Sequence, residues 1–237
     1  MRRLILFSFA LSGCLWGCGG AEKKGPKVIS QEDYETSTFS VEAGNGQVEG
    51  LLGNVTQDEL ERAFSDNRSA MLRCYENAVE DLEEIEGSLR FQAEVASDGA
   101  VQSAFIMESS LGSVDTETCM LGVLKRMTFN RVPGGVAVIY YPLELVAPYD
   151  HPPFVEWPDE KLSTVVDEHR AEIDSCLGGQ SGVHLTLYIG MGGVVLSAGG
   201  AAETLDAYEA AACAAQAVRA WRFEDPKNRL VKASLDF

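Results

Sequence analysis

Two stretches alternate apolar and polar side chains: Leu89, Phe91, Ala93 and Val95 in one, and Val183, Leu185, Leu187 and Ile189 in the other. A period of two predicts a strand with one buried face. Each run follows a segment with apolar residues at helical spacing. The first segment extends from Thr56 to about Leu82, with Leu60, Ala63, Phe64, Ala70, Met71 and Cys74 along a stripe and a capping-box pattern at Thr56 and Glu59. The second extends from Asp159 to Leu177. Turns follow the strands, at Ser97-Asp98-Gly99-Ala100 and from Gly190 to Gly193, and the chain returns through Val101 to Glu108 and from Val194 onward. A second helix is predicted at about Asp115 to Met127 and at Ala207 to Trp221. It places Cys119, Val123 and Met127, and likewise Cys213, Ala217 and Trp221, on one face. Closing strands are read at Val136 to Val146 and Leu230 to Phe237.

The same order, helix-strand-strand-helix-strand, thus occurs twice, and the spacing of landmarks shows a duplication. Arg68 and Arg170 each lie six residues before a cysteine, Cys74 or Cys176. Gly99 and Gly193 are each followed two residues later by a valine, twenty later by Cys119 or Cys213, and thirty later by Phe129 or Phe223. The large difference is the interval from first cysteine to first strand, 15 residues from Cys74 to Leu89 and 7 from Cys176 to Val183, so the second copy lacks eight. The expected fold is α+β: two tandem two-layer modules, each with a small antiparallel sheet, at residues 54–147 and 159–237. Between them Pro148, Pro152, Pro153 and Pro158 mark a connector at 148–158. Whether the modules pack together is left open by the pattern.

A cysteine on each helix of each copy predicts two disulfides, Cys74–Cys119 and Cys176–Cys213, provided both helices cover the same sheet face. Each bond would close a loop of about 40 residues, worth roughly 3 to 4 kcal/mol in the loop-entropy picture, which matters for so small a core. No Cys-x-x-Cys occurs to suggest redox chemistry, and no zinc-ligand spacing accompanies the cysteines.

The N-terminus reads as a processing signal: Met1-Arg2-Arg3, then the apolar run Leu4 to Ala10, then small residues and cysteines. Leu11-Ser12-Gly13-Cys14 and Leu15-Trp16-Gly17-Cys18 both resemble the lipobox of bacterial lipoproteins, in which the cysteine carries the lipid. The first fits the motif better; the second leaves no odd exported thiol. Lipid attachment is therefore expected at Cys18 or Cys14, with the signal at 1–17 or 1–13, and an ordinary cleaved signal is the alternative. Neither cysteine is followed by Asp, which by the same resemblance implies an outer-membrane, periplasm-facing lipoprotein. Residues 18–53 are polar and Gly-rich and are read as a flexible tether, with a strand around Thr36 to Val41 as the other reading.

The first copy resembles the AgmX/PglI C-terminal domain family, a TonB C-terminal-like envelope module. The likeness lies in Arg73-Cys74-Tyr75-Glu76, Gly87 and its strand, Asp98-Gly99-Ala100-Val101, Ser109-Ser110-Leu111, Cys119, Phe129, Gly134-Gly135 and Tyr141-Pro142-Leu143. It spans roughly Asn54 to Val146. Asn130 departs from the family's proline, and the second copy is degenerate, with Cys176-Leu177-Gly178 and Glu203-Thr204-Leu205 at the matching places. The resemblance implies a non-catalytic envelope module.

Charge and candidate chemistry narrow the function. With 36 acidic and 19 basic residues the net charge is −17, and no basic stripe is present to meet a phosphate backbone, so nucleic acid is excluded as a partner. The acid is densest from Glu76 to Glu86, read as a solvated helix face. His151, His169 and His184 share no repeated position and form no metal-spaced pair; each reads as a surface residue. Gly190-Met191-Gly192-Gly193 aligns with the hairpin turn of the first copy and reads as a turn before a phosphate cradle. Trp221 and Phe223 are core candidates. No catalytic residue, cofactor site or metal site is predicted. The expectation is a protein-binding adaptor or scaffold for envelope proteins, tethered to the membrane by its lipid and binding by strand addition at a free edge of the three-stranded sheets. The alternative is a cell-wall or small-ligand binding lipoprotein using the groove between the copies.

Overall fold

The computed structural model describes residues 41–43, 46–49, 55–132 and 134–237. The signal, both candidate lipid cysteines and most of the tether lie outside these residues.

The first copy begins with helix α1 (Gln57–Asp81), β3 (Gly87–Val95), β4 (Val101–Ser109), α2 (Val114–Leu124) and β5 (Ala137–Leu145), preceded by two short strands, β1 (Val41–Ala43) and β2 (Gln47–Glu49). Thr56 caps α1, its hydroxyl accepting from the Glu59 N–H at 3.3 Å. The Glu59 carboxylate does not return the bond; it accepts instead from the backbone N–H of Asn130, a donor that a proline there would lack. Along β3 burial alternates as expected, with Leu89, Phe91, Ala93 and Val95 buried.

The first sheet has five strands, not three. Its path is β1-β5-β3-β4, with β2 also on β5, all antiparallel. The segment read as tether up to residue 53 thus contributes two strands, Val41 opposite Leu145 and Gln47 opposite Tyr140. Three residues each are too few to print an alternating pattern in sequence.

The second copy has α3 (Asp159–Glu168), α4 (Arg170–Leu177), β6 (Val183–Ile189), β7 (Val195–Ala202), α5 (Leu205–Val218) and β8 (Val231–Asp236), with sheet order β7-β6-β8. The single helix expected over Asp159–Leu177 is interrupted at His169, where φ −105° and ψ 14° leave the helical range. At that break the His169 ring stacks on Trp221, 4.6 Å between centroids, and Glu172 accepts from the Trp221 indole N–H at 2.9 Å.

The repeated glycines and phenylalanines have one physical explanation. The carbonyl of Gly99 accepts from the Phe129 N–H at 2.8 Å, and that of Gly193 from the Phe223 N–H at 2.9 Å. Both glycines have positive φ, +91° and +70°, and a Cβ at either would sit 2.0 or 1.8 Å from the carbonyl oxygen of that phenylalanine. The turn and the end of the second helix are thereby stitched together in each copy.

Helix α1 is bonded to α2 through Cys74–Cys119, and α4 to α5 through Cys176–Cys213, with Cα atoms 5.7 and 5.4 Å apart. Trp221 and Phe223 are buried.

Duplication in sequence is not division in space, because the described residues form one compact unit. Ala104, Phe105 and Ile106 of β4, Leu185 to Ile189 of β6, and Ala198 to Ala202 of β7 are buried at consecutive positions. Such strands are covered on both faces. Here the second cover is the other copy. The connector is docked as well: Val155 bridges Val231, its N–H donating to Leu230 O at 2.9 Å, and Phe154 lies edge-on to Tyr188.

Candidate functional site

A sheet edge is a functional surface only where its backbone groups are free. In this molecule β4 and β7, the edge strands nearest the junction, pack against each other. The outer edge of β5 carries β1 and β2. The outer edge of β8 is different. Phe237 and Val183 exchange both backbone bonds, at 2.9 and 3.0 Å, so in this antiparallel register Leu235 and Ala233 also face β6. The N–H and C=O groups of Lys232, Ser234 and Asp236 therefore point away from β6; at Lys232 that side is already taken by the connector, which bridges β8 in parallel through Val155 and Val231, so the open stretch runs from Ser234 to Asp236.

Beside that edge runs a groove of about 310 Å³ between α3 and β8. Leu162, Val166 and Leu235 form its apolar floor, and Asp159, Asp167, Arg170 and Asp236 its rim. Asp167 pairs with Arg170 at 3.2 Å and Asp236 with His184 at 2.7 Å.

The junction between copies holds the other concentration of chemistry. Glu117, in the first turn of α2, is fully buried. Its Oε1 accepts from Ser109 Oγ at 2.7 Å and its Oε2 from the Gly200 N–H at 2.9 Å, so one carboxylate ties α2 to β7. Burial pushes its pKa up to about 7, although the donors Ser109, Gly200, Ser113 and Gly112 pull it back. The Tyr188 hydroxyl donates to Glu86 O at 2.8 Å and accepts from Glu86 N at 3.1 Å, and burial raises its pKa. Lys232 donates to the same carbonyl at 2.6 Å, lying over the Tyr188 and Phe154 rings; its pKa is lowered by burial. Arg219 and Asp115 close the exposed rim at 2.8 Å. Near them, α1, α2 and β7 enclose a cleft of about 130 Å³ that includes Asn77, Asp81 and Asp115.

The structure brings no two of the three histidines together. His169 and His184 are partly exposed, but His151 is not the surface residue its place in the connector suggested. Its side chain is 15% exposed, 3.5 Å from Glu86 and against Phe154, because the docked connector folds over it. The Gly190–Gly193 segment is a turn, with Gly190 N donating to Val194 O at 2.9 Å. Most of the acidic face from Glu76 to Glu84 is exposed or half-exposed, whereas Glu86 belongs to the junction. Among the described residues no cluster of three or more His, Cys, Asp or Glu could hold a metal ion, and no helix is long and apolar enough to cross a membrane.

Sequence reasoning missed Glu117, since a lone glutamate in a helix's first turn reads as an ordinary favourable charge. The available signal was the Gly199-Gly200 pair in β7: a Cβ at Gly199 would lie 2.3 Å from Glu117 Oε1. No protein family, curated protein or solved structure matches the chain.

Proposed function

We propose that this chain is a non-enzymatic envelope lipoprotein, anchored through Cys18 or Cys14 in the outer membrane and facing the periplasm, that serves as a protein-binding adaptor or scaffold by accepting a strand from its partner. The observation that carries this reading is the outward-facing backbone of β8 from Ser234 to Asp236, beyond the connector's bridge at Val231 and beside an apolar groove. A sheet edge offers main-chain hydrogen bonds for affinity, and the adjoining groove offers side-chain selectivity. The two disulfides suit an exported protein, since such bonds persist in oxidising compartments. The likeness of residues 54–146 to the AgmX/PglI domain supports an envelope setting and a place in a trans-envelope or motility assembly.

The test is cross-linking in intact cells, followed by purification from native membranes and mass spectrometry. Recurrent cross-links to one envelope assembly are expected. Cross-links to this chain alone would sink the adaptor reading. A cell-wall or small-ligand role has one observation in its favour, the cleft near Asn77, Asp81 and Asp115; a rise in melting temperature with cell-wall fragments would select it.

A further inference from the structure

The two copies are not in the same state at the last strand, and the difference identifies what the open edge takes. The β3–β5 and β6–β8 pairings fix the correspondence: Phe91 faces Tyr141, and its counterpart Leu185 faces Leu235. Tyr140 therefore corresponds to Ser234. On the helix side, counting back from Cys74 and Cys176, Leu60 corresponds to Leu162 and Phe64 to Val166.

In the first copy this place is filled by the chain itself. β1 and β2 lie antiparallel on β5, and Gly46 between them is buried, where a Cβ would be 2.7 Å from Leu60 and 3.0 Å from Tyr141. The stacked rings of Phe64 and Tyr141, 3.4 Å between centroids, close the groove so that only glycine fits. In the second copy the same positions are Leu162, Val166 and Leu235, and they floor the groove beside the β8 edge. Valine and leucine in place of two stacked rings leave room for a side chain that the first copy has no room for.

The geometry points to an antiparallel strand-docking site on the outer edge of β8, taking an extended segment of another protein with an apolar side chain in the α3–β8 groove and basic residues flanking it. Charge selects the occupant. With Asp167 paired to Arg170 and Asp236 to His184, the groove is still lined by three carboxylates, Asp159, Asp167 and Asp236, against one guanidinium, and the chain carries −17 overall. The β1–β2 segment of a second copy is a poor guest, because it carries Glu42 and Glu49. This inference rests on the adaptor reading and names the site and the chemistry of its guest.

The full-length protein from native membranes is titrated against labelled Lys-Thr-Val-Thr-Leu-Thr-Val-Lys, against the same peptide with glutamate at both ends, and against one with glycine for leucine. The basic, leucine-centred peptide is expected to bind best. Ser234→Pro removes an outward N–H without touching the β6 ladder, and edge strands tolerate proline. It is expected to weaken that peptide at least about tenfold with little change in melting temperature. The double variant Val166→Phe, Leu235→Tyr rebuilds the first copy's closed groove and is expected to shift preference to the glycine-centred peptide. Equal binding by the wild type and Ser234→Pro, or no binding of any peptide to the wild type, would overturn the site. Cellular cross-links that persist in Ser234→Pro would overturn the β8 assignment and leave the adaptor reading standing; loss of all cross-links in the wild type would remove the adaptor reading itself.

Discussion

The Oε2 atom of Glu117 accepts a hydrogen bond from the Gly200 N–H at 2.9 Å, joining the second helix of one copy to the second strand of the other. The group is fully buried and its pKa is raised by burial from 4.5 to about 7. The folded state therefore holds this proton more tightly than the unfolded chain. Its contribution to stability is fully present below about pH 4.5 and is lost as pH rises through about 7. Glu117→Gln should flatten this part of the stability curve, worth on the order of 3 kcal/mol across the window. Denaturant unfolding of both proteins at pH 4.5, 6 and 8 checks it; parallel curves would refute the assignment.

The disulfides link residues 45 and 37 positions apart, one bond per copy. Replacing Cys74 and Cys119 by serine, or Cys176 and Cys213, should each lower unfolding free energy by roughly 3 to 4 kcal/mol. Because the copies share one interior, loss of either bond should shift a single cooperative transition. Two separated transitions in calorimetry would contradict the shared interior.

Gly99→Ala and Gly193→Ala should be the most damaging exchanges of their size in the two turns. Each drives a Cβ into the carbonyl of Phe129 or Phe223 and asks for positive φ as well. A loss of more than about 2 kcal/mol is expected for each, above the left-handed penalty alone. Thermal melts decide it; a loss under about 1 kcal/mol would mean that the stitch gives way.

Tyr188→Phe removes the hydroxyl that meets both the N–H and the carbonyl of Glu86. Lys232 still donates to the carbonyl, but the N–H loses the phenol oxygen that accepts from it at 3.1 Å. The expected cost is about 1 to 3 kcal/mol. It should appear in hydrogen exchange as faster exchange of the Glu86 amide, and unchanged protection there would count against the bridge.

Much of the architecture was legible because it is local. Alternation at Leu89–Val95 and Val183–Ile189, the Asp98-Gly99 turn and helical spacing up to Cys74 each report on neighbours in sequence. The cysteine pairs were legible because the duplication supplied a second instance of the same geometry. What escaped depends on distant partners. The break at His169 accompanies stacking on Trp221, more than fifty residues away. The strands at Val41–Ala43 and Gln47–Glu49 exist because β5 offers an edge. The close packing of the copies left only a faint trace: the unbroken run Leu185-Thr186-Leu187-Tyr188-Ile189 and the small residues Ala198 to Ala202. A strand meant for a solvated outer face would have alternated there.

The self-occupied edge of β5 also sets the valency that the proposed strand docking would have. A duplicated module with both last strands exposed would be divalent, able to bridge two guests or to chain copies of itself into fibres. With β1 and β2 seated on β5, the proposed β8 site is the one last-strand seat left open among the described residues. Duplication has here left two unlike last strands: the first is covered by β1 and β2 of the same chain, and the second keeps an open stretch from Ser234 to Asp236.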